Sequence, residues 1–165
     1  MKFTLIAAIS ILSTIVSGLA LPDISRHGTV VIHPSIGLLV KEDFPAAPLP
    51  PTKIVGVSPR NGAHAVRTFL RFPVPACTGK CTISFSDAIV TSGSRTLQLF
   101  SGSIHIGTFL VPLTGVGPAI VVNDLGLTSP CPATTTNRDY EVRPVGNDDI
   151  VTWDITKGGF IITCG

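Results

Sequence analysis

Charge is scarce in this chain, and so are aromatic residues other than phenylalanine. Only 13% of the 165 residues are charged, and the 12 basic and 10 acidic side chains nearly cancel. Proteins that bind nucleic acid or anionic membranes usually carry a basic patch, so this balance argues against both partners. One Trp and one Tyr make a carbohydrate-binding module less favoured without removing it, because such modules usually display several exposed aromatic rings.

Sequence motifs of familiar catalytic sites are also missing. The chain has no G-x-S-x-G elbow, no H-E-x-x-H, no P-loop and no G-x-G-x-x-G. His105, between Ile104 and Ile106 on a predicted strand, is interpreted as a surface residue rather than a catalytic one. We therefore expect a non-enzymatic protein without a cofactor. The alternative is a hydrolase whose site is built from residues distant in sequence, since a triad is recognised by geometry.

The one long apolar run stands at the N-terminus. Lys2 precedes it, residues 3–16 are apolar apart from small hydroxyl side chains, and Gly18-Leu19-Ala20 is a small-x-small cleavage motif. This arrangement predicts a signal peptide over residues 1–20 rather than an uncleaved anchor. No later run approaches the roughly 18 apolar residues that span a bilayer. We expect a secreted protein, extracellular or in a cell wall, with no membrane span after cleavage.

Residues 21–53 are interpreted as a proline-rich lead-in with short strands near residues 29–32 and 38–40. Prolines 45, 48, 50 and 51 predict an extended, polyproline-like connector over residues 44–51. The sequence leaves open whether the lead-in is a pro-segment, a linker or a first pair of strands.

Residues 54–165 are predicted to form an antiparallel β-sandwich. Short runs of alternating apolar and polar residues are separated by Gly and Pro turns, and no convincing helical repeat occurs. Residues 109–111 and 119–122 are apolar runs typical of buried strands. The last third predicts a β-meander, in which strands 140–145, 150–155 and 160–163 are joined by hairpin turns at 146–149 and 156–159. Trp153 and Tyr140 are placed on core-facing positions.

One strand suggests an interaction surface. In the run from Val66 to Phe72, period-two alternation places Arg67, Phe69 and Arg71 on the face opposite the buried one. Lys80 and Arg95 could extend this surface. An ordinary solvated face is the simpler interpretation, and we favour it.

Cys77, Cys81, Cys131 and Cys164 all follow the predicted cleavage site, so an oxidising setting predicts two disulfides. In one pairing, Cys77–Cys81 closes a tight loop and Cys131–Cys164 clamps the meander. In the alternative, Cys81 is joined to Cys131 or Cys164. Cys-x3-Cys is also within the spacing of zinc fingers. However, no paired histidine or second close cysteine pair completes such a site, and oxidation is favoured.

Acidic residues offer two further alternatives. Asp148 and Asp149 fit a turn through Asx-type hydrogen bonds, or could bind calcium together with Asp124 or Asp139. Asp154 and Glu141, expected on neighbouring strands, could act as a glycosidase pair. Lys157 and Arg143 offer these two carboxylates ordinary ion pairs instead.

Four segments carry a resemblance to a known family. Phe69-x-x-Phe72-Pro-Val-Pro, residues 79–85 (GKCTISF), residues 130–133 (PCPA) and residues 159–164 (GFIITC) occur in this order. This succession resembles the C-terminal domain of the fungal But proteins, over roughly residues 54–164. The resemblance implies a fungal source, a β-sandwich and no assigned activity. Since it is expected to be secreted, we interpret the chain as a surface-contact protein whose partner is a cell-wall polysaccharide or an extracellular protein.

Overall fold

The computed structural model describes residues 28–58, 65–146 and 148–165. The predicted signal peptide, His27 and His64 lie outside this range. The described residues form thirteen strands, which in chain order are β1 (Val30–Ile32), β2 (Ile36–Lys41), β3 (Ile54–Val57), β4 (Val66–Val74), β5 (Lys80–Phe85), β6 (Val90–Ser92), β7 (Thr96–Ser101), β8 (Ile104–Leu110), β9 (Ile120–Asp124), β10 (Thr128–Pro130), β11 (Thr136–Pro144), β12 (Ile150–Asp154) and β13 (Phe160–Cys164). None of these residues belongs to a helix long and apolar enough to cross a bilayer.

The strands build three antiparallel sheets that enclose one core. A six-stranded sheet has the order β2-β4-β11-β7-β8-β9, a four-stranded sheet the order β1-β13-β5-β10, and a three-stranded sheet the order β3-β12-β6. Strand β3 packs against β2, β4 and β11, and β1 packs against β4, so both smaller sheets lie on the large one. The predicted all-β sandwich with antiparallel sheets is confirmed.

Phe160 on β13 is the point where the three sheets meet. Its buried ring makes edge-to-face contacts with Phe85 of its own sheet, Phe109 of the six-stranded sheet and Trp153 of the three-stranded sheet, at centroid distances of 5.0, 5.2 and 5.9 Å. Aromatic pairs favour this geometry because the positive edge of one ring meets the negative face of the other. The core position predicted for Trp153 is confirmed, and so is that of Tyr140.

Gly159 makes this aromatic cluster possible. Its φ of +74° lies in the left-handed region, and a Cβ at this position would fall 1.8 Å from Cδ1 of Trp153. A side chain here would therefore collide with the indole as well as strain the backbone.

The described part of the N-terminal segment contributes strands β1 and β2 to the sandwich, which is one of the alternatives that the sequence left open. Strand β1 pairs with β13, from Val30 opposite Cys164 to Ile32 opposite Ile162. Strand β2 pairs along β4, with Leu38 opposite Phe69. Residues 42–53 connect β2 to β3, and the proline-rich part from residue 44 to 51 lies within this connector. The two short strands were visible in the sequence, but their partners were too distant to infer.

The predicted C-terminal meander is wrong. Strand β11 lies between β4 and β7, β12 between β3 and β6, and β13 between β1 and β5, so each of the three belongs to a different sheet. The predicted turn at 156–159 is present but leads from the three-stranded to the four-stranded sheet, whereas the predicted turn at 146–149 includes residue 147, which lies outside the described residues. Turn residues specify where the chain reverses, whereas the pairing partner depends on packing across the core.

The disulfides join Cys77 to Cys131 and Cys81 to Cys164, with S–S distances of 2.19 and 2.00 Å. The alternative in which Cys81 joins a late cysteine is confirmed, and the pairing of Cys77 with Cys81 is wrong. Cys81 and Cys164 face each other on the paired strands β5 and β13, so the strand register decides the pairing.

Candidate functional site

The predicted interaction surface is the outer face of the six-stranded sheet. Arg67, Phe69 and Arg71 alternate on β4 with the buried Thr68, Leu70 and Phe72, as the sequence indicated. The strand register extends this face into a row across five strands. The row consists of Leu38, Phe69, Glu141, Phe100 and His105.

Ion pairs neutralise most of the charge on this outer face. Arg67 donates to Glu141 at 2.7 Å and Arg143 donates to the same carboxylate at 2.8 Å, while Arg71 pairs with Asp139 at 2.8 Å. Burial raises the pKa of Glu141, but the hydrogen bonds and charges of Arg143 and Arg67 outweigh it and leave the pKa below its ordinary value. The arginines therefore hold neighbouring strands together rather than form a basic patch.

The hydrogen bond from Arg71 likewise holds the pKa of Asp139 below its ordinary value, against the effect of burial. Both carboxylates thus stay ionised at neutral pH and serve as acceptors for guanidinium groups. Lys80 does not join this face, because it lies on β5 in the four-stranded sheet. Arg95 donates to the carbonyl of Val111 at 3.1 Å.

Guanidinium groups also cover aromatic rings on the outer face. Arg143 lies over the ring of Phe100 at 4.0 Å, and Arg71 lies 5.9 Å from the ring centroid of Phe69. His105 flanks Phe100 with ring centroids 5.1 Å apart. Sugars bind by stacking on open aromatic faces, so the cation that caps Phe100 works against this mode of recognition.

Strand β9 is an exposed apolar strand, and its exposure was not predicted from the sequence. The run at 119–122 was predicted to be a buried strand, but all five residues of β9 are exposed, with Ile120 at 65%, Val121 at 46% and Val122 at 53%. Among the described strands it pairs with β8 alone, and it forms the edge of the six-stranded sheet. The apolar composition of this run predicted a strand correctly. The exposure of its side chains depends on the position of β9 at the edge of the sheet, which the local sequence pattern does not show.

A cleft of about 470 Å³ opens between the four-stranded and six-stranded sheets. Ile83, Ile106 and Leu127 contribute apolar walls, and Tyr140 and Arg138 contribute a polar side. Burial raises the pKa of Tyr140, against the charge and hydrogen bond of Arg138. The guanidinium of Arg138 donates to the carbonyl of Pro130 at 2.8 Å and to Ser129. The cleft can accommodate a small apolar group beside these polar atoms.

The candidate carboxylate pair for hydrolysis does not come together. Asp154 lies on β12 in the three-stranded sheet and Glu141 on β11 in the six-stranded sheet, so the expectation of neighbouring strands is wrong. The ion pairs foreseen for them are confirmed, with Arg143 at 2.8 Å from Glu141 and Lys157 at 3.9 Å from Asp154. Hydrogen bonds from Thr156 lower the pKa of Asp154.

The two described histidines bond within the fold. His105 Nε2 lies 2.9 Å from the carbonyl of Gly107 and 3.0 Å from the hydroxyl of Thr108. His33 Nδ1 lies 3.2 Å from the carbonyl of Ile155. None of these three contacts brings a carboxylate to an imidazole, which a triad requires in addition to a nucleophile.

Asp149 organises the loop between β11 and β12. Its fully buried carboxylate accepts hydrogen bonds from Ser94 Oγ at 2.5 Å, from the amide of Gly146 at 2.6 Å and from the amide of Val145 at 3.2 Å. Asp124 accepts from the amides of its own turn, which lowers its pKa. Asp149, Asp124 and Asp139, three of the carboxylates considered for a calcium site, are thus engaged separately, and the turn interpretation of Asp149 is supported.

Replacing Asp149 with alanine is expected to lower the free energy of unfolding by about 2–3 kcal/mol, because it leaves buried donors without an acceptor. The neighbouring exposed residue provides the control: Asp148→Ala should change stability by less than about 0.5 kcal/mol. Urea denaturation of both variants measures the difference. Equal effects would show that the loop does not depend on the buried carboxylate.

No protein-family model, curated protein or solved structure matches the chain. The resemblance to the But C-terminal domain therefore stays a prediction.

Proposed function

We propose that this protein is a secreted, non-catalytic β-sandwich that binds an extracellular protein by adding an extended segment of that partner to the β9 edge. A fungal source and membership of the But C-terminal family are part of the proposal. The observation that carries it is the exposure of an apolar strand at the open edge of the six-stranded sheet.

An open edge strand recognises extended peptides with its backbone. The outward N–H and C=O groups of β9 face no described strand, and they can form a ladder with an incoming chain. Natural proteins usually protect such an edge with lysine, proline or a covering segment. Within β9 neither lysine nor proline occurs. Ile120, Val121 and Val122 instead offer apolar side chains, which would favour an added strand with apolar residues on both of its faces.

Further apolar side chains surround this edge. Leu125, directly after β9, and Ile104 at the start of β8 are 59% and 68% exposed. The amide of Leu125 donates to the carbonyl of Ile106 at 3.0 Å, which keeps it beside β8. Large exposed apolar areas on a soluble domain are typical of protein-binding sites. The edge and its surroundings therefore favour a protein partner.

A cell-wall polysaccharide has less support as the partner. Trp153 and Tyr140 are buried in the core, and Arg143 covers the ring of Phe100. The remaining aromatic on the outer face, Phe69, is half-buried between paired arginines. A flat, open stacking platform for sugar rings is not formed by these residues.

The alternative of a hydrolase also has less support. Of the described residues that line the cleft between the sheets, Asp139 is the one carboxylate, and Arg71 holds it as an ion pair. Glycoside hydrolysis by acid and base needs two carboxylates that face each other, one with a raised pKa. The four carboxyl groups with clearly shifted pKa values, Asp124, Asp139, Glu141 and Asp154, are all shifted downward.

The test is peptide selection against the oxidised protein, followed by binding measurements on a variant with lysines at Val121 and Val122. Selected peptides should be extended and apolar on both faces of the strand they form, and V121K/V122K should bind them at least tenfold more weakly, a loss of about 1.4 kcal/mol. Leu113→Lys is the matched control, because Leu113 is 72% exposed but lies in a loop. On peptide binding, amide hydrogen exchange should slow in β9.

Two results would overturn the proposal. Equal binding by V121K/V122K and L113K would remove β9 from the site. Co-sedimentation with insoluble chitin or β-glucan that persists at high salt would identify a polysaccharide as the partner instead. Retention only at low salt would indicate weak electrostatic contact and leave neither partner supported.

A further inference from the structure

The four cysteine sulfurs form one compact cluster. All four Sγ atoms lie within 4.8 Å of one another, and the Sγ of Cys81 is 3.6 Å from those of both Cys77 and Cys131, to which it is not bonded. In a tetrahedral zinc–thiolate site, with Zn–S distances of about 2.3 Å, the sulfurs are about 3.8 Å apart. The spacing between the two disulfides already approaches this value.

Backbone hydrogen bonds hold the cluster together independently of the disulfides. The amide of Cys131 donates to the carbonyl of Gly79 at 3.1 Å, and the amide of Cys77 donates to the carbonyl of Pro132 at 3.2 Å. Cys81 and Cys164 are opposite each other in the β5–β13 ladder. Each cysteine is thus fixed by the backbone next to another one, so reduction leaves the four sulfurs near each other while these strands stay paired.

A glycine allows the close approach at this end of the sandwich. Gly79 has a φ of +93°, and a Cβ there would lie 2.8 Å from the carbonyl oxygen of Gly165. The Thr78-Gly79 turn can therefore fold back so that Cys77 and Cys81 point into the same space. The fold thereby supplies the second close cysteine pair that the sequence lacked.

We propose that the reduced protein binds one Zn²⁺ ion through Cys77, Cys81, Cys131 and Cys164. A phosphine reduces each disulfide with one water molecule, which gives its oxygen to the phosphine oxide and its two protons to the two new thiols. A dithiol instead transfers two electrons and its own two protons to each disulfide and becomes a disulfide itself. Zn²⁺ then displaces four protons from the four thiols and binds the thiolates. No metal redox change is involved.

The donor set and its surroundings suit this ion. Four thiolates in tetrahedral arrangement select Zn²⁺ over hard cations such as Ca²⁺ or Mg²⁺. The resulting group carries a charge of about −2. The guanidinium of Arg138, which donates to the carbonyl of Pro130 next to Cys131, lines the same cleft as Cys81. Cys77 and Cys131 are half-buried whereas Cys81 and Cys164 are buried, so the ion can enter from the outer pair.

Cobalt titration of the phosphine-reduced protein tests the site. One equivalent of Co²⁺ should produce the visible d–d and sulfur-to-metal absorption of a tetrahedral four-thiolate centre, and Zn²⁺ should remove it. The fluorescence of the single Trp, buried as Trp153, should report a folded core in the metal-bound form. Cys164→Ser should lose the four-thiolate spectrum and bind Co²⁺ at least tenfold more weakly, and the oxidised protein should bind none.

Alkylation provides a second measurement, which does not require the reduced, metal-free protein to stay folded. Zn²⁺ should protect all four cysteines of the reduced protein from iodoacetamide, as counted by mass spectrometry. The proposal is overturned if fewer than four are protected. It is also overturned if the spectrum lacks tetrahedral thiolate absorption, or if the chain in guanidinium chloride binds Co²⁺ as tightly as without it.

Discussion

Replacing Phe160 with alanine is expected to lower the free energy of unfolding by about 3–5 kcal/mol, the range for removing a fully buried aromatic ring. The ring is fully buried and contacts Phe85, Phe109 and Trp153. These three residues come from all three sheets, so neighbouring side chains cannot fill the space without moving one sheet relative to another. Urea denaturation followed by the fluorescence of Trp153 gives the value.

Phe44→Ala is the matched control for this effect. Phe44 is 63% exposed in the connector after β2, so the same substitution should change the free energy of unfolding by less than about 0.5 kcal/mol. Phe160→Leu, which keeps most of the volume, should cost less than Phe160→Ala. A loss below about 1.5 kcal/mol for Phe160→Ala would mean that the three sheets do not share one tightly packed core.

The inward or outward direction of side chains could be predicted from sequence because it depends only on the two-residue period of a strand. On β4 the alternation placed Arg67, Phe69 and Arg71 on the outer face and Leu70 in the core, and both are confirmed. Trp153 was placed in the core by the same rule. These predictions need no knowledge of the partner strand.

Strand pairing could not be predicted, because it depends on contacts between residues far apart in the chain. Glu141 on β11 and Asp154 on β12 are thirteen positions apart but lie in different sheets. Likewise, β1 at the start of the described chain pairs with β13 at its end. The chain crosses between sheets at turns that are locally indistinguishable from those of hairpins.

In the candidate sites, too, the features set by local alternation could be predicted, and those set by strand pairing could not. The outer-face residues were found because alternation identifies them, but their pairing with Asp139 and Glu141 neutralises most of the positive charge of that surface. The β9 edge was missed, since an apolar run such as Ile120–Val122 is equally typical of a central strand. The sulfur cluster was missed because two loops and two strands, far apart in the chain, bring its members together.

Removing the Cys81–Cys164 disulfide by alanine substitution of both cysteines is expected to lower the free energy of unfolding by about 4 kcal/mol. The bond closes a loop with a sequence separation of 83, and opening it returns conformational entropy to the unfolded chain. The double variant C77A/C131A opens a loop with a separation of 54 and should cost nearly as much, since loop entropy grows only with the logarithm of length. Guanidinium denaturation under non-reducing conditions compares the two.

A tryptic map of the oxidised wild-type protein provides the control for this comparison, because Lys80 separates Cys77 from Cys81, and Arg138 and Lys157 separate Cys131 from Cys164. The observed pairing requires peptide 72–80 to be linked to 96–138, and peptide 81–95 to be linked to 158–165. If 72–80 were linked to 81–95 instead, the loop closed by Cys77 and Cys81 would be so short that opening it should cost only about 2 kcal/mol. Similar large losses in both alanine variants, together with the two long-range links, would show that the disulfides join β5 to β13 and the loop before β5 to the loop before β11.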